Sequence, residues 1–402
     1  QRMTIPAVRM LEGHGLSLKD GAGPSAYRPP LYILWLAGNY ALFGKFSLLG
    51  PSVLQALAST GNIVLLYLLT LQIWKRRDIA FGSALILAVH PYSVYHDTQL
   101  YHTFLSTGLL LSAFLLLFRG IEKRSWKLLA GSGAFFGLCI LVISTIVPFV
   151  GALILAGVFF CLRRDKRFVL VGGFILGLSL AWSPWVIRNA VAFGHFIPLT
   201  TESGVTLWMG NNPVSRELLK TRDHEDSPVP RGTKFNIPEF YGGCKPVNWC
   251  KDGISEFDEN KELTAMAMHW ITSHPGSFLS LTAWRLKGIW SPFLTPKKNI
   301  SGSVLLNGLI RYGYVCWNLF LAACFLAALP LVRRSKKGRE LLVSVALVGS
   351  GTLAYALFLF YTKYRMPFEP LLYPFCGAGL VILYERIRRI TTKKSPSSTS
   401  GT

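Results

Sequence analysis

Long apolar runs, punctuated by short basic clusters, constrain this chain more than any other feature. The runs lie near 52–74, 79–94, 100–118, 127–143, 145–162, 168–187, 309–331, 341–360 and 370–386. A helix needs about 20 mostly apolar residues to cross the hydrocarbon core of a bilayer. Inside that core every backbone N–H and C=O must be satisfied within the protein, which favours helices. Hydrophobic residues make up 51% of the chain and charged residues only 15%. A soluble domain carries roughly 25% charged residues. The chain therefore reads as an all-α polytopic membrane protein with about nine spans.

The net charge of +22 raises the question of a nucleic-acid partner. Its distribution answers that question. Lys75–Asp78, Arg119–Lys127, Arg163–Arg167, Arg333–Glu340 and Arg386–Lys394 hold 21 of the 42 Lys and Arg residues, and each sits between or beside apolar runs. Basic loops of this kind mark the cytoplasmic side of a membrane protein. The partner implied is the lipid bilayer, and nucleic acid is excluded. An odd number of spans with a cytoplasmic C-terminus places four stretches on the opposite face: the N-terminus, the turn at 90–103, the segment 188–305 and the loop 361–370. The resulting organisation has five parts. Residues 1–50 are an extracytoplasmic N-terminal segment with an interfacial helix. Spans one to six occupy 51–187, and 188–305 is one large extracytoplasmic segment. Spans seven to nine occupy 306–387, and 388–402 is a cytoplasmic tail. The location expected is the inner (plasma) membrane.

Several local signals refine this outline. The apolar run from Tyr32 to Phe43 is too short to span and suits an interfacial or re-entrant helix. Trp182 and Trp185 end the sixth run and suit an interfacial belt. In the large outer segment a helix opens near Ser255. The acids from Glu256 to Glu262 in its first turns complement the helix dipole. Its apolar face runs through Met266, Trp270 and Ile271, and His274-Pro275 breaks it. Phe278 to Trp290 then reads as a surface-lying amphipathic helix. Cys139, Cys161, Cys316, Cys324 and Cys376 lie in or beside apolar runs as small core residues. Cys244 and Cys250, in the outer segment, are either a disulfide or two free thiols.

Candidate chemistry gathers on the outer face. Arg28, Arg188, Arg285, Lys287, Lys363 and Arg365 all lie at span ends or in interfacial helices. Each one alone reads equally well as a side chain snorkelling to water or lipid head groups. Together they form a cationic rim at one membrane surface. Such a rim suits a phosphate held at the bilayer edge, because guanidinium forks pair with phosphate oxygens. His96-Asp97-Thr98-Gln99 with His102 is the densest polar cluster between two runs. Asp97 is the only acidic residue between Asp78 and Glu122. It is a candidate general base, with a helix N-cap or an ion pair to an outer arginine as the plainer readings. His96 and His102 stand six residues apart, off one helical face, and no metal is assigned to them. Glu256, Asp258 and Glu259 supply either base or acceptor contacts, or simply a solvated helix start. Gly210-Asn211-Asn212-Pro213 is a turn signal whose amides could line a site.

A family resemblance joins these pieces. Tyr27-Arg-Pro-Pro-Leu-Tyr, Pro184-Trp-Val-Ile-Arg-Asn, Gly194-His-Phe-Ile-Pro-Leu, Leu207-Trp-Met-Gly-Asn-Asn-Pro and Tyr364-Arg-Met-Pro-Phe-Glu-Pro resemble, in order, bacterial glycosyltransferase family 39. That family belongs to the GT-C superfamily, with protein O-mannosyltransferases and the lipid A aminoarabinose transferase. The resemblance implies a GT-C-like helical bundle that moves a sugar, with inversion, from polyprenyl phosphate to an acceptor hydroxyl of a protein, lipid or glycan. No cofactor is expected. The resemblance makes Asp97 the catalytic candidate in this chain, with substrate contacts from Arg28, His96, Gln99, His102, Arg188, Asn211, Glu256, Lys287, Tyr364 and Arg365. Arg188, Lys287 and Arg365 are the expected phosphate ligands. Two departures stand out. The family's usual Asp follows a first span, and Ile5 to Gly15 resembles the sequence after it, so that Asp and its span are expected upstream of Gln1. Many members also carry a Glu near Tyr101-His102-Thr103, for which His96-Asp97 is the expected substitute. The alternative is a transporter or flippase of lipid-linked sugar. Transporters show inverted repeats and midplane polar groups, whereas here no repeat is evident and the polar residues gather at one face.

Overall fold

The computed structural model describes residues 3–18, 23–97, 99–162, 168–213, 215, 255–292, 304–358 and 362–393. Cys244 and Cys250 lie outside these residues, as do the side chains of His96, Asp97 and Lys363. Every regular element among the described residues is helical. Five helices are long and apolar enough to cross a membrane: α3 (Leu49–Trp74), α6 (Thr103–Lys123), α9 (Phe168–Phe193), α13 (Val304–Arg334) and α14 (Gly338–Phe358). They coincide with the expected spans one, three, six, seven and eight.

The other expected spans take a different form. Residues 79–94 divide into α4 (Arg77–Ala88) and α5 (Pro91–Asp97). Pro91 explains the break, because proline drives the residue before it out of the helical region. The expected fourth and fifth spans become α7 (Trp126–Ile140) and α8 (Val147–Phe160), of 15 and 14 residues, with a 3-10 turn at Ser144–Ile146 between them. At 1.5 Å per residue such helices reach about 20 Å, short of the ~30 Å hydrocarbon core. The ninth run starts later and ends later than expected, as α15 (Tyr373–Lys393). Two 3-10 turns, Thr362–Arg365 and Glu369–Leu372, lead into it.

Close helix packing is built on small residues. Gly133 and Gly137 of α7 face Phe174 and Leu178 of α9, while Gly173 and Gly177 of α9 face Trp126 and Ala130 of α7. Each pair is spaced by four, so one helical face of each partner is bare of side chains. Backbones approach closely there, the means by which helices associate in lipid without a hydrophobic driving force. The large core beside them is aliphatic and aromatic, with Phe114, Phe136, Phe149 and Phe174 packed in mutual ring contact. Cys139, Cys161, Cys324 and Cys376 are buried as expected. Cys316 is exposed on α13, a correction to its expected core position.

The two ends of the bundle differ in kind. At one end Lys75 and Arg124 close α3 and α6 in the left-handed region, at φ 54° and 51°. Lys75 pairs with Glu122 at 3.5 Å and Arg76 with Glu385 at 3.3 Å. These exposed pairs add little stability, but they gather the basic loops at one end.

The opposite end is a packed cap. Here α1 (Thr4–Leu11) packs on α2 (Pro30–Phe43), and α10 (Glu202–Gly210) packs on α11 (Glu256–Ser273), which meets α12 (Pro275–Ile289), while Phe257 of α11 joins the α1–α2 core. Ser255 caps α11, its hydroxyl accepting from the Asp258 N–H. His274 ends α11 and precedes Pro275 at the start of α12, the break expected from the sequence. Val205, Trp208, Leu263, Ala267, Trp270 and Leu281 fill the small core of this cap, together with Tyr27. The Trp182 and Trp185 indoles donate to the Pro198 and Leu199 carbonyls at 2.8 and 2.7 Å, fastening the chain after α9 to the bundle end.

Candidate active site

The cap end holds four polar junctions, and they divide the candidate residues. The first lies between the entry to α2, the entry to α6, the start of α10 and the end of α14. Arg28 donates through Nη1 to Glu202 at 2.6 Å. The two side chains keep 19% and 22% of their surface exposed, so a ligand can reach them. The Arg28 guanidinium lies over the Tyr27 ring at 5.2 Å. Tyr101 and Tyr364 are near enough to feel the Arg28 charge, and Tyr101 also feels Glu202 and Tyr355. Burial pushes the Tyr101 hydroxyl well above the ordinary tyrosine range, so it remains a neutral donor. Tyr355 and Tyr364 stack with centroids 4.2 Å apart and planes 11° apart. His102 packs against Tyr101 at 4.2 Å and edge-on to Tyr32 at 6.2 Å.

The second junction surrounds Arg365, which is 2% exposed. Its Nε lies 3.1 Å from Glu369 Oε2, and Nη2 donates to Tyr314 Oη at 2.6 Å and to Asn318 Oδ1 at 2.5 Å. The guanidinium also faces the Trp290 and Tyr314 rings. His90 Nε2 stands 3.8 Å from the same carboxylate. Burial alone would raise the Glu369 carboxyl, but Arg365, helped by His90 and Tyr373, holds it down at about 2. Tyr92 bridges the two junctions, since it packs on Tyr314 at 5.6 Å and acts electrostatically on both Tyr101 and Arg365.

The third junction ties down the N-terminal segment. Arg188 donates through Nη1 to the Ser25 carbonyl at 2.9 Å and to Asn189 Oδ1 at 3.0 Å, and through Nη2 to the Leu16 carbonyl at 3.5 Å. Glu256 Oε2 accepts from the Ala26 N–H at 3.0 Å and from Thr201 Oγ1 at 2.9 Å. Burial pushes the Glu256 carboxyl above its ordinary range, against the pull of those donors and of Ser25. Arg188 and Glu256 thus bind the backbone at Leu16, Ser25 and Ala26.

The fourth junction centres on Arg285, 3% exposed. It donates to the Gly210 and Ala356 carbonyls and to Asn211 Oδ1, closing the C-terminal ends of α10 and α14 with one guanidinium. Cations are favoured at helix C-termini, where carbonyls lack intrahelical partners. Burial lowers the Arg285 pKa to about 10, which leaves it charged near neutrality. Gly210 is required here, because a Cβ would collide with the Phe358 carbonyl. Asn211 and Asn212 are buried and bond back to Leu207 and Trp208, so the turn expected at 210–213 is a packed helix end.

Among the residues selected from sequence, Arg28, His102 and Tyr364 meet in the first junction and Arg365 anchors the second. Arg188 and Glu256 share the third, and Asn211 belongs to the fourth. Lys287 is exposed on α12, apart from these contacts, and Gln99 is exposed while its carbonyl accepts from Gln55 at 2.7 Å. His96 and Asp97 close α5, four to six residues before Tyr101 and His102. The sequence reading missed Glu202, Tyr101, Tyr355, Glu369 and His90. One signal was available: Glu202 is the only acid between Asp165 and Glu217, and Glu369 the only one between Glu340 and Glu385. Among the described residues no group of His, Cys, Asp and Glu is arranged to hold a metal ion.

The fold and the charged, tyrosine-lined end define a multi-pass membrane protein with a polar site at one end of an apolar bundle. Residues 27–187 match the family described as dolichyl-phosphate-mannose-protein mannosyltransferase. Two crystal structures align along the chain: ArnT from Cupriavidus metallidurans bound to undecaprenyl phosphate, and the same protein in the apo state. Each is 14% identical, with TM-scores of 0.39 and 0.40, covering 99% and 98% of this chain and 76% of the other. Among curated proteins none matches.

Proposed function

We propose that the protein is a membrane glycosyltransferase that moves a sugar from a polyprenyl phosphate to an acceptor hydroxyl, inverting the anomeric carbon, at the end of the bundle opposite its basic loops. The carrying observation is the match of residues 27–187 to a mannosyltransferase family, because that stretch contributes Arg28, Tyr101 and His102 to the reachable junction. The positive-inside rule makes this face extracytoplasmic. Arg28 meets the donor phosphate, with Arg365 as a buried positive charge behind it. A preorganised cation stabilises the phosphate as it leaves with the bond's electron pair. Tyr355 and Tyr364 offer a stacked aromatic face to the apolar side of a sugar ring. Asp97, with His96, Gln99 and His102 at the α5–α6 turn, orients the acceptor. Arg188, Glu256 and Asn211 hold the walls, and Lys287 lies at the exposed rim.

The test is transfer from undecaprenyl-phosphate mannose by the protein reconstituted in liposomes, with the product's anomeric configuration read by NMR. The expected result is an inverted product and a loss of at least about 100-fold in kcat/KM for Arg28→Ala, the scale of removing one oxyanion-stabilising group. Movement of lipid-linked sugar across the bilayer without any transfer would overturn the proposal.

A further inference from the structure

We infer that Glu202 receives the acceptor's proton in this reaction and that Arg28 restrains it until the donor phosphate arrives. The inference rests on the glycosyltransferase reading above. The bland interpretation is an ion pair that fastens the start of α2 to α10. Three observations favour a working pair instead.

The first is incomplete bonding. Among the described residues Glu202 is the one acceptor on Arg28, and it takes Nη1, while Arg28 Nε is buried and bonded to nothing. A fork with a spare buried donor suits a second oxyanion, since phosphate takes two parallel N–H bonds from one guanidinium. The second is reach. Glu256 and Glu369 are 7% and 5% exposed, whereas Glu202 keeps 22% of its side chain exposed. Arg188 and Arg285 likewise spend their guanidiniums on protein oxygens, and Arg365, whose Nε also makes no hydrogen bond, is sealed at 2% exposure. The third is surroundings. Glu202 lies in the first turn of α10, where the helix dipole favours its anion, and within electrostatic range of Tyr101 and Tyr355 at the stacked Tyr355–Tyr364 face.

Donor phosphate oxygens occupy the Arg28 fork and displace the carboxylate. The acceptor O–H bond breaks and its proton passes to Glu202. The acceptor oxygen bonds to the anomeric carbon as the bond from that carbon to the phosphate oxygen breaks. The electron pair leaves on polyprenyl phosphate, whose added negative charge stays against Arg28. Without donor, Arg28 keeps Glu202 paired and weakly basic, so donor binding and base release are one event.

The experiment is steady-state transfer from undecaprenyl-phosphate mannose by wild type, Glu202→Gln and Glu202→Asp in liposomes. Glu202→Gln is expected to lower kcat by about 100- to 1,000-fold, within the range of a lost general base. Its donor KM is expected to stay level or fall, because a competitor for Arg28 is gone. Glu202→Asp, which also serves if the glutamine variant does not fold, is expected to lose kcat with donor KM unchanged. A Glu202→Gln kcat within threefold of wild type would overturn the inference alone. So would a loss confined to donor KM in either variant, the mark of a fastening pair. A wild type that transfers nothing would overturn the glycosyltransferase reading along with it.

Discussion

Replacing Glu369 by Gln removes one charge of a pair sealed inside the protein. Arg365 and Glu369 are 2% and 5% exposed, and their charges stand 3.1 Å apart. Removing one partner of such a pair costs about 3–5 kcal/mol, because the other charge remains buried. The carboxyl's titration leads to a similar size. It is held at about 2 against an ordinary 4.5, which corresponds to on the order of 3 kcal/mol of linked stability. A depressed carboxyl stabilises fully above its unfolded value and loses that contribution as pH falls through the folded one. Roughly three fifths of it should therefore be gone by pH 3. Tyr314 and Asn318 still contact Arg365 in the variant and soften the loss. The assay is thermal unfolding in detergent between pH 7 and pH 3. Wild type should lose stability mainly below pH 4.5, while Glu369→Gln starts lower and is flatter over the same interval. Equal unfolding temperatures at pH 7, or identical pH profiles, would refute the argument.

Three further perturbations test other junctions. Gly177→Leu puts a side chain against the Ala130 carbonyl where α7 and α9 touch, and overpacking should destabilise by about 1–3 kcal/mol, seen as a lower unfolding temperature in detergent. Arg285→Met strands the buried Gly210 and Ala356 carbonyls at about 1–3 kcal/mol each, and protease should cut after α10 faster than in wild type. Glu256 is held above its ordinary value, so its contribution is present below that ordinary value and lost as pH rises through the raised one. Wild type should gain stability on mild acidification, and Glu256→Gln should not, in the same unfolding assay.

The readable part of the fold was what period and charge encode. Runs near 20 residues at 52–74, 168–187 and 341–360 are helices because lipid permits little else. The α11–α12 break was visible because His274-Pro275 has a local steric cause. The division at Pro91 has the same cause but was masked by the apolar residues on both sides. The lengths of α7 and α8 differ from the expected runs because hydropathy does not distinguish a full span from a shorter apolar helix, such as α7 seated on the glycine face of α9. In the site, Arg28 and Tyr364 stood out as polar residues at apolar borders. Glu202 did not, since only the fold brings α10 back to the start of α2, a separation of 174 residues. The arginines were visible, but their acceptors were not. Arg188 and Arg285 bond chiefly to backbone carbonyls, which no side-chain pattern reveals.

The proposed function requires the Arg28 end of the bundle to seat a lipid-linked phosphate. Titrating detergent-solubilised protein with undecaprenyl phosphate tests it most directly, in wild type, Arg28→Ala and Lys75→Ala, the last at the opposite end. The account predicts saturable binding that Arg28→Ala weakens at least tenfold, about 1.4 kcal/mol, and that Lys75→Ala leaves intact. Binding that survives Arg28→Ala, or that depends on Lys75 instead, would contradict it.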